Sequence, residues 1–555
     1  LDPAQTNYEK YSYYVTYDIT KHLNQGDNCV GVTLGGGFYD QDTAFEGLIY
    51  GQPGVIAKIK INFTDGTSQT VITDKSWRTA LGPIQRSNIY TGENYDARQE
   101  KSGWTLASYN DSSWASAVEA SDLSSSAATS SPNKKGRKGK GRQPSTSALP
   151  SNLRAQMLPP IKKHYTLKTK KKTNPADNVY IYDFGANIAG WARLKVKASK
   201  GTQITMRFAE WLHPDGTLDP RSTQGGAHKF VQTDTYICKS SNEEIWEPKF
   251  TCHAFRYVEV TGLTNPPDDL LEVVTVNTAV EDVSTFTCSN PDFNQFHEVS
   301  DRTFLSNLRS IIEDCPHRER CGWLGDAHAT SEAAIYNFDM AQFYTKFVGD
   351  MNSSQDAKGG VPNIVPGLRG GVGSPVWAMA YILIPWDVYL HYNDRRIIED
   401  NYADMKRLVD FITSRYAVDH IITHGHHDIG VPSPDKRSPD GKLPRGLVHT
   451  PYYYQVVKLL SGMADILGKD SDKLTYRKLA SDIKTAYNND FYDSANKTYN
   501  DKHQTANALA LAFNLADDPQ AVAQSLKGVV DYKNGHYNTG IFGERIVYAM
   551  LCDYG

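Results

Sequence analysis

Over residues 1 to about 275, apolar and polar positions alternate in short runs: YSYYVTYDIT, GVIAKIKINF, SQTVITD, ARLKVKA, TQITMRF and RYVEVTG. Successive side chains point to opposite faces of a strand, so a period of two predicts half-buried β-strands. Turns rich in Gly and Asx residues (QGDN, TDGT, PDGT) separate the runs, and no helical pattern intervenes. That spacing predicts β-sandwiches rather than βαβ units. From Ser289 the period lengthens. SNPDFNQFHEVSDRTFLSNLRSIIED carries Pro291 near its start and apolar residues at Phe293, Phe296, Val299, Phe304, Leu305, Leu308 and Ile312, the stripe of an amphipathic helix. Helical runs follow in DAHATSEAAIYNFDMAQFYTKFVGDM, PVWAMAYILIPWDVYLHY, IIEDNYADMKRLVDFITSRY, PYYYQVVKLLSGMADILG, KLTYRKLASDIKTAYNNDFY, QTANALALAFNLA and IFGERIVYAMLC. Residues 376–392 are apolar nearly all round, whereas 395–417 are amphipathic. Such alternation predicts two concentric helix layers, an (α/α) toroid, in preference to a simple bundle.

Composition changes this picture in a few places. The stretch SDLSSSAATSSPNKKGRKGKGRQPSTSALP, about residues 122–150, is rich in Ser, Gly and Pro and carries six cations from Lys134 to Arg142. It cannot bury a core and reads as a disordered, solvated insertion rather than a patch for acidic polysaccharide or nucleic acid. Lys plus Arg number 59 against 63 Asp plus Glu, a net charge of −4, which argues against a globally basic nucleic-acid binder. No apolar run is long enough for a membrane-spanning helix. The 33 Tyr and 9 Trp suit sugar-facing surfaces, where a flat ring stacks on C–H bonds and its edge makes polar contacts. Seven Cys, an odd number at scattered spacings, read as buried or incidental thiols, not as a disulfide framework or a zinc site. The opening LDPAQTNYEKYSYYVTYDIT has no basic segment followed by an apolar one, so no signal peptide is read, and both ends look cut.

The densest collection of chemically capable side chains is Glu313-Asp-Cys-Pro-His-Arg-Glu-Arg-Cys-Gly-Trp-Leu-Gly-Asp326, between two helical runs. Pro316, Gly322 and Gly325 should keep its backbone irregular. Asp326 is well placed to cap the following helix. Glycoside hydrolysis requires one protonated carboxyl group to assist the leaving oxygen and a second carboxylate to activate water or attack carbon. Crowded carboxylates beside an aromatic wall raise one pKa while Arg lowers another. No cofactor is called for. HGHH (His424, His426, His427) lacks a matching acid–His spacing, so no metal site is expected.

DCPHRERCGWLGD closely resembles the signature of the α-L-rhamnosidases of glycoside hydrolase family 78. TLGGGFYD, IYTGENYDARQE, YDFGANIAGWARLKV, FAEWLHPDGTLD, QTDTYICK, WEPKFTCHAFRYVEVTG, PVWAMAYILIPWDVYLHYND, QTANALALAF and NTGIFG resemble further blocks of that family in the same order. The resemblance implies a jelly-roll-like β-sandwich over 1–155, a second β-sandwich over 156–285 and an (α/α)6 catalytic domain over 286–555. It implies an inverting hydrolase that releases terminal α-L-rhamnose from rhamnosides or rhamnose-containing polysaccharide. Glu319 matches the general acid. Asp314 and Asp326 match carboxylates that bind rhamnose hydroxyls, Arg318 a basic residue of the signature, and Trp323 an aromatic wall. Trp377 resembles a second pocket tryptophan, and Asp428 the acidic residue of a Gly-Asp-Trp block.

Several positions depart from the family pattern. His427-Asp428-Ile429 lacks the ring of Gly-Asp-Trp, Met379 stands where an acidic residue is usual, and Gly367 stands where Asp is common. The family's catalytic base comes from a Trp-Glu block after the one matched by Asn538–Gly543, and no such block precedes Gly555. No base is therefore assigned, and Glu544 reads as a helix-surface or capping residue. The helical series is accordingly expected to stop short of a closed toroid, leaving a segment inactive and poorly soluble by itself. Two alternatives stay open: a catalytically degenerate carbohydrate-binding protein, and a hydrolase for another sugar. A polysaccharide substrate would imply a secreted or periplasmic protein.

Overall fold

A computed structural model of the protein describes residues 3–40, 50–119, 152–224, 230–367, 371–372, 374–425 and 443–554. The basic insertion expected at about 122–150 and the His426–Ile429 segment lie outside the described residues.

Of the alternating runs, GVIAKIKINF and SQTVITD pair with each other as Lys58–Asn62 and Ser68–Ile72, while ARLKVKA, TQITMRF and RYVEVTG lie in one ten-stranded sheet. Its strands are β1 (Ile84–Asn88), β2 (Gly92–Asp96), β3 (Ile161–Lys168), β4 (Lys171–Ala176), β5 (Val179–Lys197), β6 (Gln203–Ala209), β7 (Thr233–Ile237), β8 (Glu243–Trp246), β9 (His253–Thr261) and β10 (Leu271–Thr278). The order is β1-β2-β7-β6-β9-β5-β10-β3, with β4 and β8 also pairing on β5. The β2–β7 pairing is parallel, Asn94 opposite Thr235. At 19 residues, β5 is long enough to serve four neighbours. Its register against β9 shifts between Asp183 and Ile188, where Gly185 takes φ 78°, a conformation that costs glycine nothing. One face buries Tyr182, Phe184, Met206, Phe208, Phe255 and Val258 as a continuous core.

Nearer the N-terminus the strands are shorter than the pattern suggests. Within YSYYVTYDIT only Ser12–Tyr14 forms a strand, pairing with Leu153–Ala155, and the alternation continues past the point where pairing stops. An alternating pattern specifies a face, but a strand also needs a partner for its N–H and C=O groups.

Two compact units divide the chain. The first comprises Leu1–Ala279, Cys288–Ser310 and Cys315–Arg320; the second comprises Val280–Thr287, Ile311–Asp314 and Cys321–Gly555. The described residues of the first include the α-helix α1 (Pro291–Ser306), which packs on β5 and β10. The Asn290 side chain accepts from the Asp292 N–H at its start, and Pro291 occupies the first turn. This helix stops at Ser306, short of the expected Ile312.

The second unit holds α2 (Leu324–Asn337), α3 (Ala341–Ser354), α4 (Pro375–Ala378), α5 (Ala380–Tyr392), α6 (Arg396–Tyr416), α7 (Arg445–Ile466), α8 (Asp470–Phe491), α9 (Gln504–Ala512), α10 (Pro519–Tyr532) and α11 (Glu544–Tyr554). Apolar and amphipathic helices alternate as expected. α7 and α9 are buried along most of their length, while α6 buries one stripe, Ile397, Ile398, Tyr402, Met405, Leu408, Val409 and Ile412. Two expected single helices are broken. Phe338 turns extended between α2 and α3 and bridges to Asp282. Met379 separates α4 from α5.

Part of the tyrosine excess has a structural use. Tyr182, Tyr236, Tyr344, Tyr381, Tyr452, Tyr453 and Tyr487 are among the largest fully buried side chains. Their hydroxyls are not wasted: Tyr182 donates to the Pro267 carbonyl at 2.9 Å and Tyr236 to the Glu244 carboxylate at 2.9 Å. A buried ring with a satisfied hydroxyl adds apolar area at little polar cost.

One buried ion pair lies inside α3. Lys346 Nζ is 2.6 Å from Asp350 Oδ2, and both side chains are fully enclosed. Burial pushes the Asp350 carboxyl up to about 6 and the Lys346 ammonium down. Removing one member should cost more than the pair contributes, because the survivor stays in a dry site. We expect Lys346→Met to destabilise by about 3–5 kcal/mol and Lys346→Met/Asp350→Leu to recover most of that. Urea unfolding midpoints measure both; a single variant as stable as the parent would contradict it.

Candidate active site

The acidic loop between α1 and α2 is closed at its base by Asp314 and Cys321. The Asp314 N–H donates to the Cys321 carbonyl (3.1 Å), and the Cys321 N–H donates to Asp314 Oδ1 (3.0 Å). One oxygen of this carboxylate therefore shapes the backbone. Beyond it, β11 (Gly322–Trp323) pairs with β12 (Ile364–Val365), and the Leu324 N–H donates to the Asn363 carbonyl at 3.0 Å. The N-cap of α2 is Trp323, with no side-chain cap bond. Asp326 is thus not the cap expected from sequence; it sits in the first turn, where the helix dipole favours a carboxylate.

Residues Cys315–Arg320 belong to the first compact unit, and their contacts there are specific. The Arg318 N–H donates to His317 Nδ1 (2.8 Å), and the Arg318 guanidinium donates to the Ser222 carbonyl (3.0 Å). His317 Nε2 lies 3.6 Å from Glu210 Oε1. Burial, followed by the Arg318, Arg320 and Arg309 guanidinium groups, pushes His317 down to about 3. Burial raises the carboxyl of Glu210. His317 is therefore a neutral imidazole that accepts through Nδ1. The Glu319 N–H points at Cys315 Sγ (3.4 Å), and its carbonyl accepts from the Tyr90 hydroxyl (3.0 Å).

Within the second unit, Gly325 lets an indole close on the start of α2. A Cβ at Gly325 would lie 2.3 Å from Trp377 Cε2, so no other residue fits there without moving the ring. Trp377, from α4, meets the ring of Phe542 edge-on at 5.1 Å. Phe542 in turn touches His449 (5.9 Å) and Tyr452 (5.8 Å). The structure thus sets Trp377 against the residue next to Asp326.

Burial separates two classes of residue in the loop. Leaving Pro316 aside, Glu313, Cys315, His317, Arg320, Cys321, Gly322, Leu324 and Gly325 are buried, whereas Asp314, Arg318, Glu319, Trp323 and Asp326 keep part of their surface open. The open set consists of groups that can carry a proton, bind hydroxyls or stack on a ring. Trp377 is buried apart from one edge. Asp428 lies outside the described residues. His424 stacks on Tyr416 at 5.0 Å. Met379 is fully buried, and Gly367 takes φ 89°. Glu544 begins α11 as an exposed first-turn carboxylate. Among the described residues, no group of three His, Cys, Asp or Glu side chains is disposed to hold a metal ion.

Sequence reasoning gave no role to Tyr90, Glu210, Gln232, His317 or Arg320. Tyr90, Glu210 and Gln232 lie in the blocks IYTGENYDARQE, FAEWLHPDGTLD and QTDTYICK, but their meeting with the loop depends on sheet pairing. His328 was also missed. It is buried on α2 beside the Tyr452 ring (5.8 Å), and neither ring nitrogen finds a hydrogen-bond partner among the described residues.

Burial, with Arg545 adding to it, pushes His328 down to about 3 from 6.5. Its folded pKa is depressed, so the unfolded chain binds the proton more tightly. Stability from this residue is full above about pH 6.5 and is lost as pH falls toward 3. Between pH 7 and 5 the loss should be about 2 kcal/mol, and His328→Phe should flatten the acid limb. Urea unfolding at both pH values tests this; an equal pH dependence in variant and parent would refute it.

Three family models account for most of the chain. The bacterial alpha-L-rhamnosidase 6 hairpin glycosidase domain matches residues 281–555, the alpha-L-rhamnosidase N-terminal domain 1–165, and the bacterial alpha-L-rhamnosidase concanavalin-like domain 173–277. An alpha-L-rhamnosidase of Formosa agariphila is 35% identical over 100% of this chain and 58% of its own length. One of Streptomyces avermitilis is 30% identical over 100% of this chain and 51% of its own. Among solved structures, the alpha-L-rhamnosidase from Dictyoglumus thermophilum superposes with a TM-score of 0.86 at 33% identity, covering 100% of this chain and 60% of that one. The Streptomyces avermitilis enzyme complexed with L-rhamnose gives 0.86 at 28% identity, covering 100% and 51%. The chain spans between half and three-fifths of the length of these relatives. Successive matches to rhamnosidase domain models, in the order of the sheet and helical units, place this chain in the bacterial α-L-rhamnosidase family, glycoside hydrolase family 78.

Proposed function

We propose that the protein hydrolyses terminal α-L-rhamnose from rhamnosides or rhamnose-containing glycans with inversion, and that Glu319 is the general acid. In this reading β-modules over about 1–155 and 156–285 precede a catalytic helical domain beginning near 286. Asp314 and Asp326 bind rhamnose hydroxyls, Arg318 contributes charge, Trp323 and Trp377 wall the sugar, and Asp428 supplies a further acidic contact. The observation that carries the reading is the division of the 313–326 loop: Asp314, Arg318, Glu319, Trp323 and Asp326 stay partly open while Glu313, His317 and Arg320 are buried. A solvated charged loop would have no reason to sort its residues in that way. Protonated Glu319 would deliver its proton to the glycosidic oxygen as the C1–O bond breaks, while a second carboxylate, not assigned here, directs water to the opposite face.

A second reading, a carbohydrate-binding protein without turnover, draws on Met379, Gly367 and Ile429, which remove polar and stacking groups present in related sequences. Calorimetry with L-rhamnose and product analysis on the full-length protein separate the two, since binding without turnover favours the second. For the first, Glu319→Gln should lower kcat/KM on a rhamnosyl disaccharide by about 10²–10⁴-fold, and less on an activated aryl rhamnoside. NMR should find β-L-rhamnose as the first-formed anomer. Unchanged disaccharide hydrolysis by the variant would remove Glu319 as the acid, and α-L-rhamnose appearing first would remove the inverting mechanism.

A further inference from the structure

The residue after Glu319 is a buried arginine, with a relative exposure of 2%. Three of its hydrogen bonds go to backbone and amide oxygens of its own compact unit. Nε donates to the His317 carbonyl (3.1 Å), Nη1 to the Ile89 carbonyl, and Nη2 to Gln232 Oε1 (3.0 Å). The guanidinium also lies over the Tyr90 ring, 5.7 Å from its centroid. Gln232 is itself fixed, donating to the Ala254 carbonyl (2.9 Å) and accepting from the Ala254 N–H (3.1 Å) on β9. Arg320 has φ 49°. A non-glycine residue in the left-handed region costs about 1–2 kcal/mol, so surrounding contacts must hold it there.

The turn that receives Arg320 is equally well specified. Asn88 Oδ1 accepts from the N–H groups of Tyr90 (2.8 Å) and Thr91 (3.0 Å), which curls the chain between β1 and β2. The Glu93 N–H donates to Asp234 Oδ1 (2.8 Å), and His253 Nε2 lies 2.9 Å from the same oxygen. All three of those side chains are fully buried or nearly so. This turn therefore offers two fixed groups to the loop, the Ile89 carbonyl and the Tyr90 hydroxyl. The first takes the side chain of Arg320 and the second binds the carbonyl of Glu319.

We infer that Arg320 and Tyr90 are positioning residues for Glu319: one clamps the peptide on its C-terminal side and the other its carbonyl, so the β-sheet unit sets where the acid sits. The inference rests on the reading of Glu319 as the general acid. Arginine is required for geometric reasons, because a planar fork spreads its donors over three nitrogens to reach separated acceptors, whereas the three N–H donors of a lysine ammonium radiate from one nitrogen.

Misplacing a general acid has a signature that lost stability does not share. The penalty grows as the leaving group becomes more basic, because a good leaving group departs without the proton. The test is kcat/KM over a series of aryl α-L-rhamnosides, from dinitrophenyl to unsubstituted phenyl, for the full-length protein and for Glu319→Gln, Arg320→Lys and Tyr90→Phe. On the phenyl substrate Arg320→Lys should lose about 10²-fold, the cost of displacing a catalytic group by about 1 Å. Tyr90→Phe, which keeps its ring and folds even if Arg320→Lys does not, should lose up to about tenfold. On the dinitrophenyl substrate both should stay close to the parent, and inhibition by L-rhamnose should be unchanged. If Glu319→Gln shows the steep leaving-group dependence while Tyr90→Phe loses activity equally on every substrate, or loses none, the positioning role is overturned and the acid assignment survives. If Glu319→Gln itself shows no such dependence, both fall.

Discussion

A buried guanidinium governs this loop. Arg320 is enclosed in protein and fully committed to fixed oxygens. Leaving such a charge unsatisfied would be costly, so the groups that accept from it cannot drift. That constraint passes outward in both directions. It holds the turn between β1 and β2 and the side chain of Gln232 on one side. On the other it holds the left-handed backbone that reverses the chain after Glu319. A buried cation thus fixes the backbone immediately after the half-open Glu319.

Polar groups elsewhere in the molecule are used in the same way. Buried tyrosines fill volume and bind carbonyls, His317 and His328 stay neutral because burial and nearby arginines disfavour their protonated form, and Lys346 pairs with Asp350 inside a helix. Burial also raises Glu93 to about 7. Raised carboxyl groups favour folding at low pH, and depressed histidines favour it at high pH, so the two classes oppose each other. Such interiors specify one arrangement more sharply than an apolar core of equal volume, because every displaced donor loses a partner.

Periodicity made the change from sheet to helix legible, as well as the alternation of apolar and amphipathic helices, since both are local properties of the chain. It failed where geometry depends on a neighbour. Phe338 leaves the helix to bridge Asp282, and Met379 interrupts an unbroken apolar run. The candidate site was legible as a cluster because its residues lie within fourteen positions, Glu313 to Asp326. Its supports were not. Tyr90 is 229 residues from the carbonyl it binds, and Gln232 is 88 residues from Arg320. Those meetings are consequences of strand register, which no single-sequence pattern encodes.

The division of the loop also bears on modularity. By sequence likeness the helical domain starts at residue 281, yet packing returns Cys315–Arg320 to the sheet unit before the chain leaves it for good. The inherited module and the mechanical one therefore have different edges. A helical domain transplanted at its sequence boundary would carry the acidic loop but leave behind the oxygens to which Arg320 is bound. Recombination at that seam would transfer Glu319 without the groups that accept from Arg320 and bind the Glu319 carbonyl.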